Sequence, residues 1–122
     1  MSKTILIVDD SASIRQVVGI SLKSAGYSVV EAVDGKDALS KLDGRKVHLM
    51  ISDVNMPNMD GISFLKAVKQ LPAYKFTPVI MLTTEAGEAR KQEGQAAGAR
   101  AWIVKPFQPA QMLNAVSKLI LP

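Results

Sequence analysis

Five short apolar segments recur along the chain and limit the folds available to it. The first, Thr4–Val8, is continuously apolar after Thr4 and ends at two acidic residues. A strand with one face in solvent alternates apolar and polar residues, so a continuous apolar run rich in Val and Ile is typical of a strand covered on both faces. The predicted strands are Thr4–Val8, Tyr27–Ala32, His48–Ser52, Pro78–Leu82 and Ala101–Val104.

A helical pattern follows each apolar segment. Ser13 is expected to cap the first helix, because apolar residues with helical spacing follow it, and Gly26 is expected to end that helix in the left-handed conformation. The fourth pattern is weak, since Gly87 and Gly94 each cost roughly 1 kcal/mol relative to alanine, and we expect a mobile helix. The other helices are predicted over Asp34–Gly44, Gly61–Pro72, Ala86–Ala97 and from Pro109 onward.

Alternation of five strands with five helices indicates the fold class. Parallel strands need long crossover connections, and helices in those connections cover both faces of the sheet. We therefore predict an α/β domain with a doubly wound, five-stranded parallel sheet, and we adopt the strand order 2-1-3-4-5. The 122 residues, 48% of them hydrophobic, suit a single domain over residues 1–122.

Composition excludes several classes of function. The chain has no cysteine, so it has neither disulfides nor thiolate metal sites. The first apolar run is too short for a signal peptide or a membrane span, and we expect a cytoplasmic protein without membrane insertion. The net charge is +4, but the basic residues are scattered and do not interleave with aromatic residues. Direct DNA binding is therefore not expected.

Polar residues stand at the predicted ends of four strands. In doubly wound sheets, ligands bind beyond the carboxyl ends of the strands, where the strand order reverses. The carboxylates of Asp9, Asp10 and Asp53 are expected to converge there, with Thr83 and Lys105 beside them. Three carboxylates against one ammonium favour a divalent cation, and oxygen ligands without His or Cys favour Mg²⁺.

Asp53 is the natural nucleophile of this group. A carboxylate beside Mg²⁺ and a lysine can attack a phosphoryl group, because the cations neutralise charge on the transferring oxygens. Lys105 is expected to pair with one phosphoryl oxygen and the Thr83 hydroxyl to donate to another. The resulting acyl phosphate would pull Thr83 and its loop inward, which makes a switch if a nearby element has two arrangements.

Five blocks of the sequence resemble response-regulator receiver domains, in particular the stand-alone chemotaxis type. They are Asp9-Asp10, Asp53, Met56-Pro57 with Gly61, Thr83 and Lys105-Pro106-Phe107. The resemblance implies a flavodoxin-like fold and phosphorylation of Asp53 by a histidine kinase. It also implies Mg²⁺ held by Asp10, Asp53 and the backbone carbonyl of Asn55, with Asp9 acting through water, and a cis Lys105-Pro106 bond.

The same resemblance implies how the chain would signal. Thr83, followed by Thr84, would couple to Trp102, where the family more often has Tyr or Phe. A downstream protein would read the surface formed by the fourth helix, the fifth strand and the fifth helix. Asn55 and Glu85 match members that lose the phosphoryl group quickly. We expect a monomer that catalyses only its own phosphorylation and dephosphorylation, in chemotaxis or motility signalling.

Other interpretations stay open at this point. A hydrolase with an aspartyl-phosphate intermediate also needs Asp, Mg²⁺ and Lys, although its usual second Asp is Asn55 here. A receiver could instead act as a phosphate sink or bind a partner without phosphorylation. A nucleotide or flavin site is disfavoured, because no glycine-rich loop follows the first strand. Thr83 could simply cap a helix, Trp102 could be packing, and His48 is expected to be structural.

Overall fold

The computed structural model describes residues 2–122, which form one five-stranded parallel sheet with helices between the strands. The strand order is β2-β1-β3-β4-β5, and every neighbouring pair is parallel. The predicted fold class and strand order are therefore confirmed. The strands are β1 (Thr4–Val8), β2 (Ser28–Ala32), β3 (Leu49–Ser52), β4 (Val79–Thr83) and β5 (Ala101–Val104).

Five helices connect or follow the strands. The first begins after Ser11, whose side chain accepts a hydrogen bond from the N–H of Ile14, so the prediction that Ser13 caps this helix is wrong. Asp34 and Asp60 cap the second and third helices in the same way. The helices are α1 (Ala12–Ser24), α2 (Gly35–Lys41), α3 (Gly61–Val68), α4 (Glu88–Ala97) and α5 (Pro109–Leu119).

Several predicted boundaries are off by one to four residues. Helix α3 ends at Val68 rather than at Pro72, because the backbone turns at Gln70 and Leu71 before the proline is reached. The third strand begins at Leu49, one residue later than predicted. The side chain of the preceding His48 has a structural contact, because its Nδ1 accepts a hydrogen bond from the N–H of Thr4 at 3.0 Å. The second strand likewise begins one residue later and the fourth both begins and ends one residue later than predicted.

Both faces of the sheet are covered by apolar side chains. One face carries Leu6, Val8, Met50 and Met81 against the buried faces of α2 and α3, with Phe64 fully buried. The other face carries Ile5, Ile7 and other strand residues against α1 and α5. Alternate residues of each strand point to opposite faces, so the continuous apolar runs are explained by two cores, one on each side.

No helix within residues 2–122 is long and apolar enough to cross a membrane.

All five strands run in one direction, so their carboxyl ends lie along one edge of the sheet. The order places the end of β1 beside the end of β3, and the N–H of Asp53 donates to the carbonyl oxygen of Val8 at 2.9 Å. The residues that follow these two strands are therefore close in space.

We predict that Asp60→Ala lowers the free energy of unfolding by about 0.5–2 kcal/mol, the usual cost of losing an N-cap. The Asp60 carboxylate accepts from the N–H of Ser63 at 2.8 Å and from its hydroxyl at 3.1 Å. Urea denaturation measures the change. Asp60→Asn keeps a capping oxygen and serves as the control. Equal losses in both variants would show that the cap contributes nothing specific.

Candidate functional site

Three carboxylates meet at the carboxyl edge of the sheet, as predicted. Asp9 and Asp10 follow β1 and Asp53 follows β3, and one oxygen of each lies within 4.8 Å of the others. Asp9 and Asp53 are only 2% and 8% exposed, whereas Asp10 is exposed to solvent. The site is thus an acidic pocket with two buried walls and one open side.

Lys105 supplies the positive charge of this pocket. Its Nζ lies 2.7 Å from Oδ2 of Asp9 and 3.4 Å from Oδ2 of Asp53, and its side chain is 10% exposed. Burial raises the pKa of Asp9 above its usual value, although the hydrogen bond from Lys105 opposes this shift. One ammonium therefore faces two nearly buried carboxylates, with a third at the opening.

Backbone N–H groups fix the orientation of both buried carboxylates. Oδ1 of Asp53 accepts from the N–H of Val54 at 2.7 Å, and Oδ1 of Asp9 accepts from the N–H of Ser11 at 2.9 Å. In each case the second oxygen, Oδ2, faces Lys105. Each carboxylate thus has one oxygen tied to its own loop and one directed into the pocket.

Gly61 allows the loop after Asp53 to fold tightly. Its N–H donates to the carbonyl oxygen of Val54 at 2.8 Å, and a Cβ at this position would collide with the carbonyl oxygen of Asp53. Any larger residue would have to move the backbone that carries Asp53. Asn55, between Asp53 and this glycine, is exposed on the same loop.

Thr83 is the last residue of β4 and is completely buried, whereas Thr84 is exposed. The Thr83 Oγ1 accepts from the N–H of Glu85 at 3.1 Å. Helix α4 begins after Gly87 without a side-chain cap, so the alternative in which Thr83 caps this helix is wrong. Trp102, on β5, donates from Nε1 to the carbonyl oxygen of Glu85 at 2.9 Å. Glu85 therefore connects the threonine and the indole.

Comparison with known proteins agrees with this geometry. The family model of the response regulator receiver domain matches residues 5–117. The chain belongs to the response regulator receiver family. The match covers β1 from Ile5 onward, the other four strands in full and most of the last helix, and it includes every residue of the acidic pocket.

The similar proteins cover nearly the whole receiver. Chemotaxis protein CheY1 of Helicobacter pylori is 39% identical over 119 residues, which are 96% of this chain and 95% of the relative. Protein PilG of Pseudomonas aeruginosa is 35% identical over 112 residues, 92% of this chain and 83% of PilG. The solved structure of chemotaxis protein CheY4 of Vibrio cholerae is 49% identical, has a TM-score of 0.92, and covers 98% of this chain and 99% of its own.

The acidic pocket fits the Mg²⁺ that receivers bind. Its donors are carboxylate oxygens, which Mg²⁺ prefers, and the open side at Asp10 leaves room for the waters that this ion keeps. The peptide bond between Lys105 and Pro106 is cis, as the resemblance implies. The carboxyl edge of the sheet carries all five predicted pocket residues, Asp9, Asp10, Asp53, Thr83 and Lys105. Trp102 is connected to this edge through Glu85.

Sequence reasoning missed some residues that shape this edge. Ser11 both orients Asp9 through its N–H and caps α1 through its hydroxyl. Arg15 donates from Nη1 to the carbonyl oxygen of Asp9 at 2.6 Å and pairs with Glu31. A serine directly after two acids was a usable signal for Ser11. No sequence signal indicated the role of Arg15, because its contact with Asp9 is to a backbone oxygen.

We predict that Gly61→Ala lowers the free energy of unfolding by about 1–3 kcal/mol, the usual range for volume forced into a packed site. The obstacle is the backbone of Asp53, which cannot rotate away. Gly19→Ala is the matched control, since a Cβ there would lie 3.9 Å from Cδ1 of Ile7, an ordinary contact. Thermal or urea unfolding compares them. A Gly61→Ala protein as stable as the control would contradict the close approach.

Proposed function

We propose that this receiver is a signalling switch that accepts a phosphoryl group on Asp53 from a histidine kinase. The observation that carries the proposal is the position of Asp53: its Oδ2 faces the Lys105 ammonium at 3.4 Å inside a cluster of three carboxylates. A nucleophile, a cation for the phosphoryl oxygens and ligands for a metal ion thus lie in one pocket.

In the proposed reaction, a carboxylate oxygen of Asp53 forms a bond to phosphorus while the bond from phosphorus to the kinase imidazole nitrogen breaks. The electron pair of the broken bond returns to that nitrogen. Lys105 pairs with one phosphoryl oxygen, and the Thr83 hydroxyl donates a hydrogen bond to another. Attack by water on phosphorus later releases inorganic phosphate and restores the carboxylate.

Asp9, Asp10, Asp53 and the backbone carbonyl of Asn55 would hold Mg²⁺, with Asp9 acting through water. When bound, this ion neutralises charge on the transferring phosphoryl oxygens. The chain's own residues orient the pocket for it, because the N–H groups of Val54 and Ser11 leave one oxygen of each buried carboxylate free to face inward.

The proposed output is a change in the surface formed by α4, β5 and α5, which a downstream protein reads. Thr83 and Trp102 both bond to Glu85, at the start of the loop that leads to α4, so a movement of Thr83 toward the phosphoryl group reaches this surface. We place the receiver in the cytoplasm, as a monomer in chemotaxis or motility signalling. Relatives named for chemotaxis support this setting.

We predict that the protein forms a transient adduct of one phosphoryl group with acetyl phosphate and Mg²⁺, detected by intact mass. Asp53→Asn removes the nucleophile and should abolish the adduct, whereas Asp60→Asn, outside the acidic cluster, should form it normally. Absence of any adduct across donor concentrations would refute the switch. Multiple turnover of an unrelated phosphomonoester would favour the aspartyl-phosphate hydrolase instead.

We also predict that Mg²⁺ raises the melting temperature, because a ligand that binds only the folded state stabilises it by mass action. Asp10→Asn should weaken this binding roughly tenfold or more, equivalent to about 1.4 kcal/mol or more. The contacts of Lys105 should stay intact, because Asp10 is exposed at the opening of the pocket. Differential scanning fluorimetry against Mg²⁺ concentration measures both effects. An equal Mg²⁺ response in Asp10→Asn would remove this residue from the site.

A further inference from the structure

Helix α4 has one fully buried residue, Gly94. The helix sequence is polar, and its ends carry glycines in place of capping side chains. Glu93 pairs with Lys66 at 3.7 Å and with Arg90 at 2.7 Å, but both pairs are at the surface, where ion pairs contribute little. In the middle of α4, Gly94 is thus the position that lies fully inside the protein.

Gly94 lies against the indole of Trp102. A Cβ on Gly94 would lie 2.6 Å from Cζ3 and 3.2 Å from Cε3 of that ring, closer than atoms can approach without a shift. The indole cannot shift freely, because its Nε1 donates to the carbonyl oxygen of Glu85 at 2.9 Å and its ring packs on the core face. The space left by the missing side chain of Gly94 is thus filled by the six-membered ring of Trp102.

We propose that Gly94 is a positioning residue that keeps Trp102 beneath α4, with its N–H bonded to Glu85. The regulatory part of this inference rests on the proposed function. The carbonyl oxygen of Glu85 accepts from the Trp102 indole, and the N–H of Glu85 donates to Thr83 Oγ1. One residue thus joins the threonine of the acidic edge to the residue that supports α4. Trp102 in turn reports and transmits movement of this loop.

The position of the indole also affects the proposed output surface. Trp102 borders a groove of about 360 Å³ between β5 and α5, whose lining includes Ile103, Asn114 and Lys118. A side chain at position 94 would displace the indole and thereby change the wall that Trp102 forms in this groove.

The first test uses the unphosphorylated protein, in which Trp102 is the only tryptophan. Gly94→Ala should shift the emission to longer wavelength and raise the exchange rate of the indole N–H about tenfold, as expected for loss of one hydrogen bond. Gly19→Ala, a helical glycine with open space, should change neither. Wild-type emission and indole exchange in Gly94→Ala would overturn the inference.

A double-mutant cycle keeps the test decisive if Gly94→Ala folds poorly. Phenylalanine lacks the second ring that meets Gly94, so Gly94→Ala should reduce the urea midpoint clearly in the wild-type background and much less in the Trp102→Phe background. Equal losses in the two backgrounds would show that the alanine does not act through the indole, and would overturn the inference.

The second test adds Mg²⁺ and acetyl phosphate. Gly94 lies outside the acidic pocket, so Gly94→Ala should form the adduct at the wild-type rate, but the change in Trp102 emission on phosphorylation should be lost. An unchanged emission response in Gly94→Ala, or no response in a phosphorylated wild type, would refute the regulatory role. A wild type that forms no adduct would instead refute the proposed function, while the first test would still decide the position of the indole.

Discussion

The Lys105 ammonium holds together an edge that would otherwise consist of mutually repelling carboxylates. Lys105 directly follows β5, and β5 is separated from β1 by two other strands, roughly 14 Å at the usual spacing between strands. The lysine therefore has to reach across the ends of β4 and β3 to bond Asp9. Its own N–H donates to the carbonyl oxygen of Thr83 at 2.8 Å, which anchors the reaching residue on the end of β4. The backbone at Lys105 and the end of β4 are thus tied together.

A series of hydrogen bonds and packing contacts leads from Thr83 to helix α4. Glu85 bonds Thr83 through its N–H and Trp102 through its carbonyl oxygen, and Trp102 supports α4 at Gly94. Helix α4 is suited to respond, because it is polar, has one fully buried residue and lacks side-chain caps. The helix that sequence reasoning identified as weak is also the helix with the fewest fully buried residues.

The sheet and the acidic pocket could be predicted because both depend on local sequence. Continuous apolar runs indicate covered strands, and a residue at the end of a parallel strand lies at a known edge whatever its partners are. The cap of α1 was misplaced because Ser11 and Ser13 have the same chemistry, and only the backbone geometry distinguishes them. The contact between Gly94 and Trp102 joins two elements with no shared periodicity, so no pattern in the sequence indicates it. From the sequence, Gly94 indicated only that the helix is weak, and not that the ring of Trp102 lies against it.

The electrostatics of the pocket favour the binding of a cation. Burial raises the pKa of Asp9, so the folded state holds that proton more tightly than the unfolded state does. The stability that this group contributes therefore falls as pH rises from its unfolded pKa through its folded pKa, and ionised Asp9 opposes folding at neutral pH. Lys105 offsets only part of this cost, since it also faces Asp53 and leaves Asp10 without a described cation partner within residues 2–122. A divalent cation bound by these carboxylates would relieve the remaining repulsion, so the charge that weakens the fold is the same charge that would attract the ion.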